Sequence, residues 1–204
     1  MRCNENNRNN EANQRLKSEN KRLRQQLNAC EEDLGNLRKK VAFFENHPSI
    51  SRGIRGETLV ASLVNGHISR GYSSYDVTSG KRLLTFEVKY SRLNVAVKGQ
   101  PTKRWNWAKP FGEAGNKEYD RLILIGDKDS RYTNAYLDKL SPYIIFDVPF
   151  KEVSQLVTKA SRHGFPKAHI TLTTNPMTAK SKASILFYKY QISEVELKGR
   201  YRIL

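Results

Sequence analysis

Glu87 and Lys89 stand two residues apart in the segment Leu83-Leu84-Thr85-Phe86-Glu87-Val88-Lys89-Tyr90. Its period-two alternation is that of a half-buried strand, with Leu83, Thr85, Glu87 and Lys89 on one face and Leu84, Phe86, Val88 and Tyr90 on the other. Just upstream, Tyr72 to Val77 reads as a short strand, and Thr78-Ser79-Gly80-Lys81 is turn chemistry, so the two runs form a hairpin. That turn brings Asp76 close to Glu87. Two carboxylates on adjacent strands repel each other unless a cation lies between them, and a hard divalent ion such as Mg²⁺ takes oxygen ligands from such a pair. Lys89, beside that pair, can orient an attacking water and stabilise negative charge on a pentavalent phosphorus. The plain alternative is that Glu87 and Lys89 are a solvent-facing pair on an ordinary strand.

The elements around the hairpin must position these groups. Ser49 or Ser51 can cap a helix that runs to about Val64, with Ile54, Leu59, Ala61, Leu63 and Val64 as its apolar positions. Arg121-Leu122-Ile123-Leu124-Ile125-Gly126 is an apolar run of the kind found in a strand buried on both faces. Tyr143 to Val148, His169 to Thr173 and Ala183 to Tyr190 read as further strands, Phe150 to Arg162 as a helix, and residues 101–118 as irregular or partly helical. The fold class is therefore α/β.

The 204 residues carry a formal net charge of +16, with 38% hydrophobic residues. So basic a protein usually meets a polyanion, and nucleic acid is the default. Residues 1–46 hold ten Lys/Arg against seven Asp/Glu, a net +3, whereas residues 47–204 hold 26 against 13, a net +13. The positive field thus belongs to the C-terminal part. Candidate phosphate contacts are Arg52, Arg55, Lys98, Lys103 and Arg104, with Arg70, Lys180 and Lys182 behind them. Arg52 and Arg55 could equally be solvated charges. Trp105, Trp107 and Phe111 lie among Lys103, Arg104 and Lys109, and fit either nucleic-acid contact or the anchoring of a long loop on the core, the second being preferred. The four histidines have no ligand spacing, and Asp127 and Asp129 read as loop acids, so zinc and a second metal site are not expected. The two cysteines, Cys3 and Cys30, form no CxxC pattern and no disulfide framework, which fits a reducing cytoplasm. No stretch approaches a membrane span.

Asp76, ten residues, then Glu87-Val88-Lys89 resembles the PD-(D/E)XK motif of restriction-endonuclease-like nucleases. Glu57, in Arg55-Gly56-Glu57, matches the further acid that the family often carries on a preceding helix. Tyr119-Asp120-Arg121-Leu122-Ile123-Leu124-Ile125-Gly126 looks like its central core strand. The resemblance covers about residues 49–126, and Tyr75 stands where the motif's name has proline. It implies a mixed β-sheet core flanked by helices. It also implies that Asp76 and Glu87 ligate Mg²⁺ (Mn²⁺ substituting), with the Val88 carbonyl as a third oxygen ligand, Glu57 binding directly or through water, and Lys89 positioning the water. The activity so implied is endonucleolytic cleavage of DNA, with defence against foreign DNA as the expected setting. The alternative is a non-catalytic nucleic-acid-binding or scaffold protein.

Upstream of this domain (49–204), residues 1–14 are almost wholly polar and read as a disordered tail. From Leu16 a seam follows, in which Leu16, Asn20, Leu23, Leu27, Cys30, Leu34, Leu37, Val41 and Phe44 alternate by four and three. That is the a/d seam of a coiled coil over residues 15–46, and Asn20 at a favours a parallel pair. Residues 16–44 would then join two copies or dock a partner protein. A single amphipathic helix packed on its own domain is the other reading. Asn46-His47-Pro48-Ser49 marks the boundary.

Overall fold

The computed structural model describes residues 2–69, 73–79, 83–95, 103–129, 140–158, 168–174 and 187–202, with side chains from residue 14 onward except those of residues 95 and 158. The chain divides into two units, Met1–Ser51 and Arg52–Leu204.

The first unit is built on α1 (Arg2–Asn46). The helix starts before the seam. No glycine or proline interrupts the chain before Gly35, so nothing local stops the helix once the Leu16–Phe44 stretch has formed it. Leu16, Leu23, Leu27, Leu34, Leu37 and Val41 are each at least half exposed. Cys30 is a free, exposed thiol. Among the described residues no helix is long and apolar enough to cross a membrane.

α2 (Pro48–Val64) starts at a proline. Proline suits the first turn because its fixed φ is already helical and its missing N–H would have no helical partner there. Ser49 and Ser51 therefore lie inside the helix instead of capping it.

In the second unit the described strands form two sheets. The six-stranded sheet has the order β1 (Gly66–Ile68), β2 (Val77–Ser79), β3 (Thr85–Ser91), β6 (Arg121–Asp127), β7 (Tyr143–Pro149), β10 (Gln191–Ile192). Its pairings are antiparallel except that of β3 with β6, which is parallel, with Glu87 across from Leu122 and Lys89 from Leu124. The four-stranded antiparallel sheet has the order β4 (Asn94–Val95), β5 (Lys103–Ala108), β9 (His169–Thr173), β8 (Val157–Thr158). The architecture is thus mixed α/β with a mostly antiparallel sheet and a long N-terminal helix.

One face of the larger sheet packs Phe86, Val88, Ile123 and Ile125 against Val60, Leu63 and Val64 of α2 and against Leu197 and Tyr201 of α4 (Glu194–Arg202). The opposite face packs Leu122, Leu124, Ile144, Phe146 and Val148 against Trp105 and Trp107 of β5, Ile170 and Leu172 of β9, and Val153 and Leu156 of α3 (Phe150–Leu156). The apolar run of β6 is central because it is covered on both faces.

Where residues 101–118 were expected to be irregular or partly helical, Lys103–Ala108 form the strand β5 and residues 109–118 are irregular. In Lys-Arg-Trp-Asn-Trp-Ala the tryptophans alternate with polar positions, and both are buried. Their indole N–H groups donate to the β6 side of the core, Trp105 to Asp127 O (3.0 Å) and Trp107 to Ile125 O (2.8 Å). The tryptophans are core anchors. Gly126 admits Trp105, since a Cβ there would lie 2.5 Å from its Nε1. The helix expected over 150–162 ends at Leu156, where Val157 turns extended (ψ 124°) and enters β8; its β-branched side chain suits that state. Where a strand was expected up to Tyr190, residues 187–190 are helical, and the strand comes later, at β10. Phe187 and Tyr190 are both buried at the i, i+3 spacing of a helical turn.

α4 is tied to the sheet by charge as well as packing. The side chain of Asp147 is fully buried on β7 and accepts from Arg121 Nε (2.7 Å), Arg200 Nη1 (2.7 Å) and the Tyr201 hydroxyl (2.8 Å). A buried carboxylate is tolerated when its oxygens are satisfied in this way.

Candidate functional site

The site forms where β2 gives out along β3. The register pairs Val77 with Phe86 and Thr78 with Thr85, so Asp76, one residue before β2, falls opposite Glu87. The Asp76 N–H donates to Phe86 O (2.8 Å), and Asp76 Oδ2 accepts the Val88 N–H (2.8 Å). The carboxylate thus takes the place of the next ladder bond. This is why the strand expected from Tyr72 begins only at Val77. Ser73 to Asp76 are bends, and serine and aspartate favour such local side-chain bonding over a ladder. In a strand the C=O of a residue points to the same side as its N–H, so the Val88 carbonyl lies on the Asp76 edge of β3.

Glu87 is wholly buried, which removes the reading of Glu87 and Lys89 as a solvent-facing pair. Its Oε1 pairs with the Lys89 ammonium on the same strand face. Its Oε2 pairs with Lys117 and accepts no other hydrogen bond among the described residues. Lys117 Nζ also bonds Asp76 Oδ1 at 3.1 Å. One ammonium therefore bridges the two carboxylates.

Lys117 is a site residue that sequence reasoning missed. It lies in the irregular approach to β6, with its N–H donating to Phe111 O (2.9 Å). Gly112 makes room for it: its φ is +74°, and a Cβ there would lie 3.0 Å from Lys117 Cβ. The Gly112 and Gly115 punctuation around a lone lysine was the only local signal, and it does not say what that lysine touches.

Glu57 is half-buried on α2 and, among the described residues, makes no hydrogen bond or ion pair. It feels the others through charge. Burial and then the Asp76 carboxylate raise its pKa, while Lys89 and Lys117 pull it down. Burial chiefly raises the pKa of Glu87, with Asp76 adding to the rise and Lys89 and Lys117 opposing it. Burial lowers the pKa of Lys117, but its bonds and charge interactions with Glu87 and Asp76 outweigh that and hold it above the ordinary value. Tyr119 is buried close by, and burial followed by the charges of Glu87 and Asp76 pushes its phenol up. Its hydroxyl donates to Pro110 O at 2.7 Å.

With Glu57, Asp76 and Glu87 ionised against two lysines, the cluster carries one uncompensated negative charge. At an effective dielectric near 20, a pair of unit charges about 4 Å apart is worth roughly 4 kcal/mol, so the sign of that excess matters. The donor set suits a hard divalent cation: two carboxylates already sharing one cationic partner, and a backbone carbonyl on the same edge. Among the described residues no three His, Cys, Asp or Glu side chains are grouped so as to hold a metal ion.

A pH dependence follows for the metal-free protein. Between the ordinary carboxylate value of 4.5 and its raised native value, native Glu87 holds a proton that the unfolded chain has released. Stability attributable to this residue is then lost as pH rises through that window. The stability of the wild type relative to Glu87→Gln should therefore fall as pH rises from 4.5 through that window. Urea melts in EDTA at a series of pH values measure this; a difference independent of pH would contradict it.

The expected nucleic-acid contacts are spread over two elements. Arg52 (half-buried) and Arg55 (exposed) lie on α2, while Lys103 (exposed) and Arg104 (half-buried) lie on β5. Lys98, Arg70, Lys180 and Lys182 lie outside the described residues. Asp127 accepts the Tyr90 hydroxyl at 2.5 Å, the role of a structural acid. No protein-family model and no curated protein matches the chain, so residue chemistry and geometry alone carry its functional reading.

Proposed function

We propose that the 52–204 unit is a metal-dependent endonuclease with a restriction-endonuclease-like core, hydrolysing DNA phosphodiester bonds with a metal-activated water. The observation that carries this reading is the pairing of Asp76 and Glu87 across one ammonium where β2 ends along β3, with Lys89 on the same face as Glu87. Asp76, Glu87 and the Val88 carbonyl would hold Mg²⁺ (or Mn²⁺), with Glu57 adding negative charge from α2. The ion, when bound, lowers the pKa of its water and polarises the phosphoryl oxygen. Lys89 is held by Glu87 and can offer its ammonium to the water and to the charge growing on phosphorus. Buried Tyr119 lies close to both carboxylates. Arg52, Arg55, Lys103 and Arg104 contribute to the basic surface that draws a polyanion. The test is plasmid DNA incubated with Mg²⁺ or Mn²⁺, with and without EDTA. Metal-dependent cutting supports the proposal; DNA binding with no cutting under any metal favours the non-catalytic binder.

α1 supplies the means of pairing, as a parallel homodimer through Leu16 to Phe44. Its half-exposed leucines need a partner surface, and a second copy offers the same seam. Light scattering should give twice the protomer mass of 23.5 kDa for the wild type and a single protomer for Leu27→Lys/Leu34→Lys. A monomeric wild type would remove the dimer.

A further inference from the structure

We propose that a groove lined by Arg52, Tyr90, Ser91, Arg92, Asn94 and Asn106 binds a phosphate of the nucleic-acid backbone adjacent to the phosphodiester that is cut. The inference rests on the nuclease reading for what lies next door, but the groove's own chemistry is independent of it. The groove has a volume of about 240 Å³ and no acid lines it. Among the described residues neither Arg52 nor Arg92 has a carboxylate partner. The contrast is with Arg121 and Arg200, which both bond Asp147 and lock α4 to the sheet. Where this fold uses guanidinium groups for structure it pairs them, and at the groove it leaves two open.

The surrounding hydrogen bonds fix the groove. The Ser91 hydroxyl accepts the Asn106 N–H (2.8 Å) and donates to Arg92 O (3.0 Å), joining the end of β3 to β5. Asn94 Nδ2 donates to the same Arg92 carbonyl at 3.1 Å. The Thr171 hydroxyl donates to Asn106 Oδ1 at 3.3 Å, which leaves the Asn106 NH₂ as a donor. The Tyr90 hydroxyl is spent on Asp127, so its ring serves as a wall. Two guanidinium groups and an amide NH₂ on a braced frame recognise an anion with several acceptor oxygens, and a phosphate meets that description.

Placement identifies which phosphate. Ser91 follows Lys89 on the same face of β3, about 6.6 Å further along the strand. On α2, Arg52 precedes Glu57 by five residues, about 7.5 Å along the helix axis. Gly56 sits against Val88 and Tyr90, so helix and strand are in register here. From Lys89 on β3 and from Glu57 on α2, the step to the groove is comparable to that between successive phosphates of one strand.

The test is fluorescence anisotropy with a labelled DNA duplex in EDTA, where cleavage plays no part, using the full chain and the Arg52→Gln, Arg92→Gln and double variants. Each single variant should bind about tenfold more weakly, and the double variant should reduce the slope of log K against log salt by about 1. This result supports the groove whether or not the protein cuts plasmid. Wild-type affinity and slope in the double variant, with circular dichroism showing it folded, would overturn the groove and leave the nuclease reading standing. Should Gln variants not fold, Arg52→Lys and Arg92→Lys keep the charge but lose the fork, and undiminished binding by both would overturn it equally. A titration with inorganic phosphate is the second arm. Thermal stabilisation of wild type but not of the double variant, with DNA affinity equal in the two, would identify a free-anion site and overturn the backbone assignment.

Discussion

Lys89→Ala and Asp76→Ala are each expected to reduce Mg²⁺-dependent DNA cleavage by at least about 10²–10³-fold, the range for losing one preorganised electrostatic partner of a transition state. Both proteins should remain folded. In Lys89→Ala the buried Glu87 still has Lys117 as counter-charge. In Asp76→Ala the Val88 N–H loses its acceptor at a strand edge that water can reach, since Asp76 is only partly buried. The two losses have different origins: Lys89 would act on the water and the phosphorus, and Asp76 on the ion. Raising the metal concentration should therefore recover part of the activity of an Asp76→Asn variant and none of that of Lys89→Ala. Single-turnover cleavage, with near-ultraviolet circular dichroism to confirm the fold, reads this out. Wild-type cutting by either alanine variant would remove the proposed site.

The second large effect should come from Lys117→Met. Without added metal, this variant leaves a fully buried carboxylate with Lys89 as its remaining ion-pair partner, and Asp76 beside it loses the shared ammonium. Removing one partner of a buried ion pair costs about 3–5 kcal/mol, and the partial exposure of Lys117 places the expectation toward the lower end. Divalent metal should recover much of that loss. Three carboxylates, Lys89 and one dication sum to zero charge, whereas both lysines with the dication leave an excess positive charge. Mn²⁺ should therefore raise the melting temperature of Lys117→Met more than that of the wild type, and calorimetric titration should show tighter binding to the variant. Equal metal-induced shifts in the two proteins would mean that Lys117 does not compete for the ion's place. A variant stable in EDTA would mean that the bridge contributes little to the fold.

What could be read in the sequence was what short-range periodicity encodes. Alternation assigned the two faces of β3, and the turn residues brought Asp76 to Glu87. The apolar run marked β6 as central, and the 4–3 spacing marked the exposed seam of α1. The same logic was available for β5, where Trp105 and Trp107 alternate with Arg104 and Asn106; the density of charge around them hid it. The ends of elements were harder to place. Asp76 displaces a ladder bond with its own side chain, and Val157 leaves the helix for a strand partner, and neither event is visible in a local pattern.

The sequence alone thus determined which side chains share a face of one strand, because that depends only on the two-residue pleat. Tertiary structure decided that Glu87 is fully buried, because burial depends on what the rest of the chain packs over that face. It also brought Lys117, from a loop 28 residues beyond Lys89, between Asp76 and Glu87. The parallel pairing of β3 with β6 sets that contact by placing the approach to β6 beside the hairpin, and such a long-range register has no counterpart in local residue spacing.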